Sequence, residues 1–93
     1  MSETLNTPTA TREVIRRYVA TEFLPGTDPA DLPDGTDLLN GGVIDSLGLL
    51  KIIAWLETTF DVVVEDTDLD PENFRDLTAM AAFVDAARSG PRG

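Results

Sequence analysis

The stretch Gly41-Gly42-Val43-Ile44-Asp45-Ser46-Leu47-Gly48-Leu49-Leu50-Lys51-Ile52-Ile53-Ala54-Trp55-Leu56-Glu57-Thr58-Thr59-Phe60 decides how this chain folds. Leu49, Ile52, Ile53, Leu56 and Phe60 recur at helical spacing, which predicts an amphipathic helix over about residues 46–60. Asp45 is placed to cap it, its carboxylate accepting from the free N–H groups of the first turn. Ile44 and Leu49 fall at the two positions of a hydrophobic staple around that cap. Gly41 and Gly42 let the backbone turn into the helix and leave space around its start.

Working outward, Ile15, Tyr18, Val19 and Phe23 define one face of an earlier helix, expected over residues 11–24. Thr9 or Thr11 can cap it, and Pro25-Gly26 ends it. The connection from Thr27 to Ile44 holds three glycines and two prolines, so no regular element spans it. Leu38 and Leu39 are its expected anchors to the core, through a single helical turn. A connection of this length is uncommon in a compact domain and is often functional.

After the central helix, Val62-Val63-Val64 is β-branched and reads in isolation as a strand. With no partner strand in the sequence, we expect an extended linker with buried valines. Asp70-Pro71-Glu72-Asn73-Phe74 reads as a capped start with proline at the first helical position, giving a short helix of one to two turns. The last helix is expected over about residues 78–88, with Asp76 or Leu77 near its start. Leu77, Met80, Ala81, Val84 and Ala87 form its inner face, and Ser89-Gly90-Pro91 stops it. The fold class that follows is all-α: a small four-helix bundle of three longer helices and one short one, with a long loop between the first two. One small domain over 11–88 is expected between a polar leader, 1–10, and a tail, 89–93.

Composition narrows the function. Seven basic residues stand against 17 acidic ones, a formal charge of -10, and the chain has no cysteine and no histidine. Disulfides, thiolate metal sites, a cysteine nucleophile and the commonest general base are all absent, which argues against an enzyme. Negative charge disfavours nucleic acid and anionic membranes and steers basic partner surfaces inward, although it also serves solubility alone. Residues 1–10 lack the basic and apolar regions of a signal peptide, and no apolar run approaches membrane-spanning length, so a cytoplasmic protein is expected; a monomer is expected as well. Asp66, Asp68 and Asp70 have the spacing of a calcium loop. Pro71 and Leu77 stand where that loop needs glycine and glutamate, so no metal site is expected.

The chemistry is expected at Ser46. Its hydroxyl sits at the positive end of a helix dipole, a favourable place for a phosphodiester. Asp45-Ser46-Leu47, approached through Gly42-Val43-Ile44, resembles the attachment motif of acyl and peptidyl carrier proteins. The likeness extends over roughly residues 12–87, through the apolar stripe, Glu57 and Phe60, the Asp70–Phe74 turn and the final helix. The resemblance implies that Ser46 receives 4′-phosphopantetheine from coenzyme A, in a step performed by a phosphopantetheinyl transferase with Mg²⁺. The arm's thiol then holds an acyl or aminoacyl group as a thioester. The carrier presents it to a loading enzyme, and to a condensing enzyme or acyltransferase, without chemistry of its own. In the family, Asp45 also lies near the metal and pyrophosphate during arm transfer.

Two alternatives stand beside this. Ser46 can be merely part of a helix cap, and the chain an arm-free interaction module with the carrier fold. Leu47, Leu50 and Ala54 point away from the core stripe and are expected either to form a docking face for partners or to lie under the long loop. The central helix also departs from the fatty-acid type of carrier, whose corresponding helix is acidic. Gly48, Lys51 and Trp55 interrupt any acidic ladder, and the pattern is closer to discrete carriers of polyketide or nonribosomal peptide assembly.

Overall fold

The computed structural model describes residues 8–89. Three α-helices form the frame: α1, Pro8–Phe23; α2, Ser46–Phe60; and α3, Leu77–Ser89. Short 3₁₀ helices cover Pro29–Asp31, Asp66–Asp68 and Pro71–Phe74, and no strand occurs among the described residues.

Ile15 and Val19 of α1, Ile52, Leu56 and Phe60 of α2, and Leu77, Met80, Ala81 and Val84 of α3 meet in one buried core. Their spacing is that of single helical faces, so each helix contributes one stripe. Phe74 and Leu38 are fully enclosed, and Leu32, Ile44 and Val62 close the remaining sides.

The first helix starts earlier than its apolar period suggests. Pro8 opens it, where a missing N–H costs nothing. Thr9 and Thr11 therefore lie inside the helix and do not cap it. Thr11 is instead buried, its hydroxyl donating to Asp85 Oδ1 at 3.1 Å, which ties the start of α1 to the last turns of α3. Residues 8–10, read from sequence as leader, belong to this helix; residues 1–7 and 90–93 lie outside the described residues.

Asp76 caps α3, its Oδ1 accepting from Ala79 N at 2.7 Å. The expected short helix is a 3₁₀ helix of four residues, its start capped by Asp70 accepting from Glu72 N at 3.0 Å. The run after α2 is extended but not uniformly buried. Val62 faces the core and Val64 is half-buried, while Val63 is 69% exposed. Successive side chains of extended backbone point to opposite sides, so three adjacent valines cannot all turn inward. Glu57 holds this segment against α2, its Oε2 accepting from Val64 N at 2.9 Å.

Candidate functional site

The long connection is stitched down at several points before it reaches Ser46. Asp34 is the first. Its carboxylate pairs with Arg16 and lies 3.3 Å from Arg12 Nε, both on α1. Its carbonyl accepts from Leu77 N and Thr78 N at the start of α3. Arg16 also donates to the carbonyl of Leu32. Its bond to Glu13 raises the guanidinium's pKa, with Asp34 adding to the effect against some desolvation. One residue of the loop thus joins α1 to α3.

Further on, Leu38 N donates to Arg75 O at 2.8 Å, and Ile44 N donates to Leu38 O at 3.0 Å. Between these anchors the chain makes the expected single helical turn, Gly41 N donating to Asp37 O at 3.1 Å. Asp37 stabilises the turn from its side chain, accepting from Asn40 N at 2.9 Å and from Asn40 Nδ2 at 2.8 Å. The backbone bond from Asn40, followed by the side-chain bond, holds the Asp37 carboxyl below the usual carboxylate range.

Two glycines shape the approach. A Cβ on Gly41 would lie 2.6 Å from the Asp37 carbonyl oxygen, so no larger residue fits the turn. Gly42 has φ of 82°, in the left-handed region. Replacing Gly41 by alanine is expected to cost about 1–3 kcal/mol, since backbone must move to admit the methyl group. Urea denaturation measures this, and an unchanged midpoint would show that the turn yields without cost.

Asp45 then caps α2 as expected. It has extended backbone, and its Oδ1 accepts from Gly48 N at 2.8 Å. Gly48 is buried: a Cβ there would meet the Phe23 ring at 2.8 Å, so the glycine lets α1 close on the first turn of α2. The cap leaves the N–H groups of Ser46 and Leu47 without an intramolecular partner among the described residues. Ser46 itself is exposed at this positively polarised end. A hydroxyl so placed is open to a phosphoryl group, and the negative charge of the product is favoured there.

Beside it, Leu47 is 77% exposed and Leu50 62% exposed, with Ala54 exposed one turn beyond. The long loop covers none of the three. Lys51, on the α1 side of this patch, is paired with Glu22 at 2.8 Å, which raises its ammonium pKa. Trp55, placed only on a side face by the sequence, stacks on Tyr18 with centroids 4.0 Å apart and planes 9° off parallel. Helical period locates Trp55 beside the core stripe, but only tertiary packing decides that α1 lies on that side.

No helix among the described residues is long and apolar enough to cross a membrane, and no three acidic side chains there converge as metal ligands. Asp68 and Asp70, two members of the apparent calcium spacing, are engaged with the backbone as local caps.

An accessible serine at a capped helix start, in a chain with no histidine or cysteine to activate it, suits a protein acted on by others. The family model for the phosphopantetheine attachment site matches residues 13–84, and the chain belongs to that family of carriers, which are not themselves catalytic and whose prosthetic group is 4′-phosphopantetheine. Among solved structures it is similar to the peptidyl carrier protein KstB-PCP in its apo form, at 44% identity over 92% of this chain and 94% of that one, with a TM-score of 0.78. A solution structure of KstB-PCP in kosinostatin biosynthesis is 45% identical over 88% of this chain and 89% of that one, with a TM-score of 0.60. No curated protein matches the chain in sequence.

Proposed function

We propose that the arm is attached to Ser46 Oγ and that the chain carries an aminoacyl or acyl group on it as a thioester. The observation that carries this reading is the exposed Ser46 hydroxyl at a helix start whose cap is supplied by its neighbour Asp45. The bland alternative, Ser46 as part of the cap, loses its main support, because the carboxylate of Asp45 fills that role. A phosphopantetheinyl transferase brings coenzyme A and Mg²⁺. Ser46 Oγ would give up its proton to a base of the transferase and bond to the pantetheine-side phosphorus, the pyrophosphate P–O bond would break, and 3′,5′-ADP would leave. The N–H groups of Ser46 and Leu47, without an intramolecular partner among the described residues, would favour the negative charge of a phosphodiester there, and the arm would supply a thiol for cargo.

Leu47, Leu50 and Ala54 form the docking face for the transferase, the loading enzyme and the condensing enzyme or acyltransferase. The outward stripe is uncharged, and its flanking Lys51 is neutralised by Glu22. Partners therefore meet it through apolar contact, with the acidic remainder of the molecule steering approach. Leu47→Asp is expected to slow arm transfer and loading by about tenfold or more, the loss of one well-buried apolar contact, with little change in the thermal midpoint. Unchanged kinetics with several partners would remove the docking face.

The likeness to a peptidyl carrier favours aminoacyl cargo in natural-product assembly of the polyketide or nonribosomal peptide kind; that the chain acts as a cytoplasmic monomer is our reading of the sequence alone. The test is the mass of the protein recovered from its native host. A thioester adduct on the arm, discharged by hydroxylamine, supports the reading and gives the cargo mass. An arm that never bears a hydroxylamine-labile group would overturn it.

A further inference from the structure

Of the three asparagines in the chain, only Asn40 precedes a glycine. Asparaginyl-glycine is chemically labile because glycine leaves the following amide nitrogen unshielded and flexible. In the reaction, Gly41 N attacks Asn40 Cγ, the new N–Cγ bond forms, the Cγ–Nδ2 bond breaks, and ammonia leaves with the amide proton. Water then opens the cyclic imide at one of its two carbonyls, giving aspartate or isoaspartate at position 40.

Both members of the labile pair serve the turn. Gly41 is required because a Cβ would collide with the Asp37 carbonyl oxygen at 2.6 Å. Asn40 adds a side-chain donor, Nδ2, to the Asp37 carboxylate beside its backbone N–H. The same contacts restrain the reaction. The attacking nitrogen is engaged by Asp37 O at 3.1 Å, and the leaving amide is held by Asp37 Oδ2 at 2.8 Å.

We propose that Asn40 is a latent deamidation site, exposed on the loop that leads to Ser46 and kept intact by its hydrogen bonds to Asp37. Reaction requires the turn to open, so its rate reports the population of the open loop. The product does not restore the closed turn. Aspartate or isoaspartate places a second carboxylate against that of Asp37, replacing a donor by a like charge, and isoaspartate also lengthens the backbone within the turn. The inference does not depend on what Ser46 carries.

The experiment incubates the full chain in mildly alkaline buffer and follows the mass gain of amide-to-acid conversion, mapped by peptide digestion. Folded protein should convert far more slowly than protein held in urea. Asp37→Ala should convert about tenfold faster than wild type when folded, and at the same rate in urea. Asn40→Gln, which disfavours the five-membered imide, should lose the mass gain. Equal rates for folded and urea-unfolded wild type would overturn the proposal, and this comparison holds even if Asp37→Ala does not fold. A folded Asp37→Ala protein that converts at the wild-type rate would overturn it as well.

Discussion

Ser46→Ala abolishes arm attachment and leaves the fold as it is. The two halves of this expectation have separate physical grounds. Attachment needs an oxygen nucleophile at this point, and alanine has none, so the loss should be complete. The fold should not notice, because Ser46 is exposed and the cap on the first turn belongs to Asp45, whose Oδ1 holds Gly48 N at 2.8 Å. Alanine is also the best helix former for the first turn. The change in stability should stay within about 0.5 kcal/mol, the ordinary range for surface substitutions. Intact mass after treatment with the transferase reads the first half, and thermal melting the second. A Ser46→Ala protein that still gains the arm would place attachment elsewhere. One that fails to fold would make Ser46 structural.

Phe74→Ala is expected to have the largest effect on stability. Phe74 is fully enclosed and meets Phe83 edge-on, with centroids 5.4 Å apart. It is the single buried side chain of the last 3₁₀ helix, so it anchors the segment between α2 and α3. Truncating such a ring costs about 3–5 kcal/mol through lost burial and the cavity left behind. A domain of this kind has a total of about 5–15 kcal/mol. Much of the protein's margin would go, and the residues from Glu65 to Asp76 should lose amide protection first. Denaturation that shifts by less than about 1 kcal/mol would mean that neighbouring side chains collapse into the space.

The central helix was legible because its signals are local. The apolar period, the Asp45 cap and the outward placement of Leu47, Leu50 and Ala54 all depend on residues within a few positions of one another. The same holds for the single turn at Leu38 and for the start of α3. The start of α1 was not legible, since Pro8 to Ala10 carry no apolar period and the helix there is held by a remote contact between Thr11 and Asp85. Asp34 could not be found for the same reason. Its role comes from the meeting of Arg12, Arg16 and the first N–H groups of α3, which the sequence separates widely. Leu32 is buried in a stretch whose prolines and aspartates read only as loop. Gly48 read only as a break in an acidic ladder; its benefit, room for the Phe23 ring, exists only once α1 and α2 are packed.

The central claim is tested most directly by incubating the wild-type chain with coenzyme A, Mg²⁺ and a broad-specificity phosphopantetheinyl transferase, then measuring intact mass and mapping the modified peptide. The account predicts the gain of one phosphopantetheinyl group, located on Ser46. No gain in protein shown to be folded, or a gain mapped to any other residue, would contradict it.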